Sequence, residues 1–329
     1  MSAAGDAAPR PAPGSPPGPG PARPGRMRAL VFDPARPHGL RLGDAPPPTP
    51  SASQVLVEVE ATSFNFGELA FGSPSSEPGA VFGWDAAGVV IQAAADGTGP
   101  PVGTRVVTFG WDGAWAERRA VDVAELAAVP ASVDLGAASA LPVAGVTALQ
   151  ALRRLGALAG QRVLVTGASG GVGRFAVQLA AAGGAHVVAS VGSRPRAEGL
   201  PELGAAEVVV GLDGLTEPVF GVLDNVGGPQ LAELLPLVAE GGSVQWIGRA
   251  ARAPVVLEVP LIESLRACRL EFFIVGTPFG PDLAHLVGLL ARGELDPQIG
   301  WRGPWERADE AAGALLARRV QGKAVLDVA

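Results

Sequence analysis

Between Met27 and about Val129 apolar residues come in short runs that Gly and Pro separate. Residues 28–32, 54–60, 87–93, 105–109 and 116–121 read as β-strands, since alternating or β-branched runs bounded by turn residues suit a pleated, half-buried surface. This predicts a small, irregular, mainly β domain. After Pro130 the period changes. Residues 146–155 have helical spacing, and strand candidates at 162–166, 186–191, 207–210, 221–225, 243–247 and 270–275 follow, with helical composition at 173–182, 196–203 and 229–240. Such alternation predicts a parallel sheet with crossover helices on both faces. Two further helices, 281–292 and 307–320, and a last strand, 323–328, close the chain. The expected class is α/β, and no internal repeat is found.

Composition narrows the chemistry. The chain has 329 residues, which at roughly 150 per domain predicts about two domains. Residues 1–26 contain 19 Ala, Gly or Pro without hydrophobic periodicity, which predicts a disordered tail or an upstream start ahead of Met27. With 25 basic and 32 acidic side chains the formal charge is −7, so no basic field attracts nucleic acid or an anionic membrane. No apolar run is long enough for a spanning helix, and no secretory leader is recognised; a cytoplasmic protein is expected. One cysteine, Cys268, excludes an internal disulfide and a multi-cysteine zinc site, and His38, His186 and His285 lie far apart. No metal is expected. Tyrosine is absent, which removes one common proton donor.

The most specific chemistry lies in Val163-Leu164-Val165-Thr166-Gly167-Ala168-Ser169-Gly170-Gly171-Val172-Gly173. An apolar strand enters a glycine-dense turn that opens into a helix, so bare backbone amides and the helix N-terminus can receive a pyrophosphate. Ala168, Ser169, Gly170, Gly171, Val172 and Gly173 are therefore cofactor candidates. Dinucleotides with a free ribose are usually held by an acidic residue at the end of the second strand, about 20 residues beyond the turn. Here Ser190, Ser193, Arg194 and Arg196 stand there instead, a set that suits a 2′-phosphate. NADPH is the expected cofactor, with Glu198 the only acid close by.

From Met27 to Ala329 the chain resembles the medium-chain dehydrogenase/reductase superfamily. The likeness rests on Ala61-Thr62-Ser63-Phe64-Asn65-Phe66-Gly67-Glu68-Leu69, Gly83-Trp84-Asp85-Ala86-Ala87-Gly88, Leu141-Pro142-Val143-Ala144-Gly145-Val146-Thr147-Ala148, the turn at 166–173 and Gly322-Lys323-Ala324-Val325-Leu326. It implies a GroES-like, mainly β catalytic domain (27–132 and 276–329) around a Rossmann domain (133–275). Zinc-dependent members place a cysteine near Asn65 and a His-Glu pair at Trp84-Asp85; both are missing, and so is the four-cysteine lobe. The pattern resembles the zinc-free quinone oxidoreductases and enoyl reductases. By the same resemblance Asn225, Gly248, Arg249, the backbone at 273–275 including Phe273 and Val275, and Arg318 complete the cofactor cleft, and Thr147 lies near the nicotinamide.

Hydride transfer to a quinone or α,β-unsaturated carbonyl is the function this implies, with Asn65 and Thr147 as candidate catalytic residues that stabilise developing oxygen charge. Glu68 and Asp85 are the alternatives if burial raises their pKa. Phe64, Phe66, Phe71, Trp84, Trp111, Phe272, Phe273 and Phe279 are candidates to wall a pocket for a planar, apolar substrate. Phe64-Asn65-Phe66 also resembles the reductase modules of polyketide synthases, which leaves an enoyl reductase of a carrier-bound intermediate as an alternative. A third is an NADPH-binding protein with little catalysis. A homodimer is expected, because the apolar run at 270–275 would form a sheet edge that needs covering.

Overall fold

The computed structural model describes residues 25–71, 77–264 and 268–328. The Ala/Gly/Pro-rich segment expected as a tail lies outside the described residues up to position 24.

The first part of the chain builds a short hairpin, β1 (Met27–Phe32) and β2 (Leu40–Ala45), beside a larger sheet. That sheet contains β3 (Gln54–Phe64), β4 (Asp85–Gln92), β5 (Arg105–Phe109), β6 (Arg118–Asp122) and β7 (Leu126–Ala128). In β3 the period-two pattern is clear: Val55, Val57 and Val59 are buried, while Glu58 and Glu60 point out. From Ala61 to Phe64 every residue is buried, because the strand dives beneath the second half of the molecule. A short helix, α1 (Phe66–Phe71), follows directly.

After α2 (Leu135–Ser139) and the long α3 (Pro142–Leu155) comes a six-stranded parallel sheet. It comprises β8 (Arg162–Val165), β9 (His186–Val191), β10 (Ala205–Val210), β11 (Val219–Asp224), β12 (Val238–Trp246) and β13 (Arg269–Phe272), in the order β10-β9-β8-β11-β12-β13. Strand order reverses between β8 and β11, which makes their C-terminal ends the topological switch point where a Rossmann sheet binds its ligand. Crossovers include α4 (Gly171–Ala182), α5 (Pro229–Leu234) and α6 (Val259–Ser264). The chain then forms α7 (Gly280–Ala291), β14 (Ile299–Pro304), α8 (Ala308–Leu316) and β15 (Lys323–Asp327), and β14 and β15 join the first sheet.

Two expected helices differ. Residues 196–203 form only a 3₁₀ turn at Arg194–Ala197, since Pro195, Gly199 and Pro201 interrupt any longer ladder. The helix expected over 229–240 ends at Leu234, where Pro236 follows, and β12 already begins at Val238.

One apolar core spans both halves. Leu149, Leu152 and Leu155 of α3 pack with Val163 and Val165 of β8, and with Phe109 and Phe279. The last two rings stack at 3.7 Å and 7°, which adds roughly 0.5–1.5 kcal/mol to the area they bury. Lys323, the first residue of β15, therefore stands at a fixed junction: Ala324 pairs with Phe64 of β3, and Gly322 bridges to Gly170 at the mouth of the Rossmann sheet.

Candidate active site

The glycine turn occupies the switch point. Thr166 Oγ1 donates to Asp224 Oδ1 at 2.6 Å and accepts from Asn225 N at 3.0 Å, while Asn225 Nδ2 donates to Thr166 O at 2.9 Å. These bonds lock the ends of β8 and β11 together. A Cβ on Gly173 would lie 2.4 Å from Gly167 O, and one on Gly248 would lie 2.2 Å from Asn225 O, so both backbones must be bare to pack. Gly170 differs: a Cβ there would meet only Gly167 O at 3.4 Å. What it keeps open is space outside the chain, at the N-terminus of α4, which has no side-chain cap. Ala168 and Ser169 are buried in the turn, Gly171 faces Lys323, and Val172 is half-buried. The cradle fits a dinucleotide pyrophosphate.

The four residues expected at the 2′-phosphate do not act as one set. The Ser190 hydroxyl is buried and donates to Gly211 O at 2.6 Å, so it has no proton left for a phosphate. Ser190 is thereby corrected to a packing residue. Ser193 and Arg194 lie exposed at the end of β9. Arg196 turns inward, donating from Nε to Ser169 Oγ at 2.8 Å and from a terminal nitrogen to Arg318 O. Burial first, and then the neighbouring Arg318, hold its guanidinium below the ordinary value. A half-buried cation beside another cation awaits an anion. Arg318 has φ 59° and donates to Ala250 O at 2.5 Å, tying the end of α8 to the loop after β12. Arg174, which sequence reasoning missed, joins the group through Gln298, Gln321 and Glu198 O. Arg249 leaves the group, for its side chain lies on the Phe71 ring. Phe273 is core, packed under Arg154 at 4.4 Å, and Val275 is half-buried beside it.

Across the seam from this turn is a buried polar network around Asp85, which is fully inaccessible. Its Oδ2 accepts from Ser63 Oγ at 3.1 Å, Asn65 Nδ2 at 2.9 Å and Lys323 Nζ at 3.1 Å, and its Oδ1 accepts from Val143 N at 3.1 Å in the first turn of α3. Both Asp85 oxygens are thus taken up by donors from β3, α3 and β15. Lys323, 2% exposed, also donates to Asn65 Oδ1 at 2.7 Å and Phe64 O at 3.0 Å. The Asn65 amide cannot flip, because its oxygen must face the ammonium. Its nitrogen is turned to the carboxylates, with one N–H on Asp85 and a side-chain hydrogen bond to Glu68. Lys323 is the residue that sequence reasoning left without a role; its burial and its proximity to Asn65 arise only when β15 pairs with β3.

Glu68 completes the network from the third position of α1. Its oxygens accept from Asn65 N and Trp84 N, both at 2.7 Å, which is the backbone half of a capping box. Glu68 keeps some surface at the edge of α1, but its carboxyl end points inward; desolvation, then Asp85, raise its pKa to about 8 against the attraction of Lys323. Thr147 is 5% exposed and makes no side-chain hydrogen bond among the described residues. It lies in α3 one turn beyond Val143, whose backbone N–H donates to Asp85. Of the aromatic residues expected around a pocket, Phe66 pairs edge-on with Phe71 and Trp84 with Trp111, whereas Phe64 and Phe279 are core. Phe272 is on the edge strand, 54% exposed.

Known proteins are similar to this chain over most of its length. Residues 51–131 match the alcohol dehydrogenase GroES-like domain, and residues 203–326 match the zinc-binding dehydrogenase model. The chain is 30% identical over 317 residues to a chloroplast envelope quinone oxidoreductase homolog of Arabidopsis thaliana, covering 88% of this chain and 94% of that one. It belongs to the medium-chain dehydrogenase/reductase superfamily, in the quinone oxidoreductase branch. This quinone oxidoreductase relative is an α/β oxidoreductase with a GroES-like and a Rossmann-like domain, the class that works with a nicotinamide cofactor. It is 29% identical to the 2-methylene-furan-3-one reductase of Solanum lycopersicum, covering 83% of this chain and 71% of that one. A mycobacterial protein solved in complex with NADPH superimposes with a TM-score of 0.83 at 27% identity, over 92% of this chain and 100% of that one. The zinc in the second family model's description finds no donor set here. Among the described residues no three His, Cys, Asp or Glu side chains gather to hold a metal, and the cation against Asp85 is the Lys323 ammonium. No helix among them is long and apolar enough to cross a membrane.

Proposed function

We propose that this oxidoreductase is a zinc-free, NADPH-dependent reductase of quinones or α,β-unsaturated carbonyls. The observation that carries the reading is the buried Asn65 amide, whose oxygen is held by Lys323 and whose nitrogen is held by Asp85. Bound NADPH supplies a hydride to an electron-poor substrate carbon, and charge then develops on the substrate's carbonyl oxygen. Asn65 and Thr147 are the groups we assign to stabilise that oxygen. Neither is an acid near neutrality, so the proton that completes the reduction comes from solvent or from Glu68, whose burial raises its pKa to about 8 beside Asn65. Ser169, Arg196 and the amides at the start of α4 support a phosphate-bearing cofactor. Arg194 and Arg196, without a carboxylate to meet a free 2′-hydroxyl, favour NADPH over NADH.

We also propose a homodimer. Strand β13 has a neighbour on one side only, and Phe272 and Ile274 beside that open edge are 54% and 66% exposed. A soluble protein with that localisation of apolar surface is expected in the cytoplasm. Steady-state NADPH oxidation with quinones, enones and acyl thioesters tests the function. Asn65→Ala should reduce kcat by about two to three decades, the measured worth of an oxyanion donor. Thr147→Val, which removes one neutral hydrogen bond of about 0.5–1.5 kcal/mol, should reduce it by tenfold or so. A silent Asn65→Ala would refute the assignment.

A further inference from the structure

The loop after β12 carries two guanidinium groups that no carboxylate answers. Arg249 lies 4.5 Å from the centroid of the Phe71 ring and Arg252 lies 5.4 Å from that of Phe66. Neither side chain makes an ion pair or hydrogen bond among the described residues. Arg153, Arg154, Arg162, Arg302 and Arg307 each sit on a carboxylate. What sets Arg249 and Arg252 apart is that one loop lays both on rings of one short helix.

Their placement is specific. The loop is pinned by Ala251 N donating to Val226 O at 2.8 Å, by Trp246 Nε1 donating to Gly248 O at 2.8 Å, and by Arg318 on Ala250 O. Arg252 holds φ 52°, a left-handed conformation that residues with a long side chain seldom adopt. The rings beneath belong to α1, which begins one residue after Asn65. Arg252 thus stacks on the residue next to Asn65 in sequence, and Arg249 stacks on the last residue of the same helix. An arginine stacked on a ring keeps its in-plane N–H donors free, and that fork matches a carboxylate or phosphate.

We propose that Arg249 and Arg252 form a specificity site for an oxyanion on the substrate, so that preferred substrates are enones or quinones bearing a carboxylate or phosphate ester. The site rests on the reductase reading. The loop adjoins the glycine turn, because Arg318 links Ala250 O to Arg196 and Gly248 packs on Asn225, so NADPH affinity is measured alongside substrate preference.

The test compares chain-length-matched enones ending in a methyl ester, a carboxylate or a phosphate monoester, with the full-length protein and NADPH. Binding of each enone to the NADP⁺-loaded protein is measured separately by calorimetry. In wild type the kcat/KM of the acids should exceed that of the ester by tenfold or more, and in R249Q/R252Q the ratio should fall to about one, while NADPH binds both proteins equally. The carboxylate and phosphate arms decide which oxyanion the site takes. Equal kcat/KM for acid and ester in wild type, or an acid preference that survives R249Q/R252Q, overturns the site and leaves the reductase reading intact. Binding of the acids that needs both arginines, without turnover of any enone, supports the site and overturns the reductase reading. Neither binding nor turnover overturns both.

Discussion

Replacing Lys323 by Met removes the only ammonium in a network that also contains a fully buried carboxylate. The variant strands Asp85 without its counter-ion and leaves Asn65 Oδ1 and Phe64 O without a donor. Breaking a buried pair from one side costs roughly 3–5 kcal/mol, and Asp85→Asn should cost a comparable amount by facing an amide NH₂ toward Lys323 and Ser63. The double variant is neutral. In it Asn65 can turn over and present its oxygen to the new amide, so its loss should fall short of the sum of the single losses by about 2 kcal/mol or more. Urea unfolding at pH 7 of the four proteins measures this coupling. Turnover should behave differently. The same reversal of Asn65 takes its N–H away from the substrate oxygen, so the double variant should regain stability and remain two to three decades slow, roughly the cost of losing an oxyanion donor. Additive losses within about 0.5 kcal/mol would refute the network as an energetic unit. Recovery of turnover together with stability would refute the claim that Lys323 acts by fixing the Asn65 amide.

In Arg194→Ala/Arg196→Ala, NADPH affinity by calorimetry should fall by one to two decades, about 1.5–3 kcal/mol, and NADH affinity should hardly change; equal wild-type affinity for the two cofactors would contradict the proposal. The raised pKa of Glu68 also sets a pH dependence. The folded state holds a proton that the unfolded chain releases above about 4.5, so stability from this group should be fully present below that pH and decline until the folded pKa of about 8 is passed. Glu68→Gln should flatten denaturation midpoints across that window, and an unchanged slope would remove Glu68 as the cause. Prolonged dialysis against a strong chelator should leave turnover unaltered, since Trp84 offers no lone pair; zinc that tracks with activity would overturn the metal-free reading.

The order of β-runs followed by alternating strands and helices was legible in the chain, because hydrophobic periodicity is a local property that burial on one face enforces. The glycine turn was legible too: a strand, bare glycines and a helix start are contiguous in sequence. Proline and glycine explain why the segments after β9 and after α5 gave shorter helices than their composition suggested. The role of individual polar groups was not legible. Ser190 looks like a phosphate ligand in the sequence, and only the pairing of β9 with β10 brings Gly211 O within reach of its hydroxyl.

Asn65 shows the division most clearly. The sequence places an amide before a helix, where an isolated helix would use its side chain as a cap. The tertiary structure instead supplies Asp85 from 20 residues away and Lys323 from 258 residues away, and these two fix the orientation of the amide. Composition alone gave the single cysteine and the formal charge of −7. Orientation of a hydrogen-bond donor, and the pairing of charges in a water-poor interior, depend on distances that only packing of β15 against β3 creates.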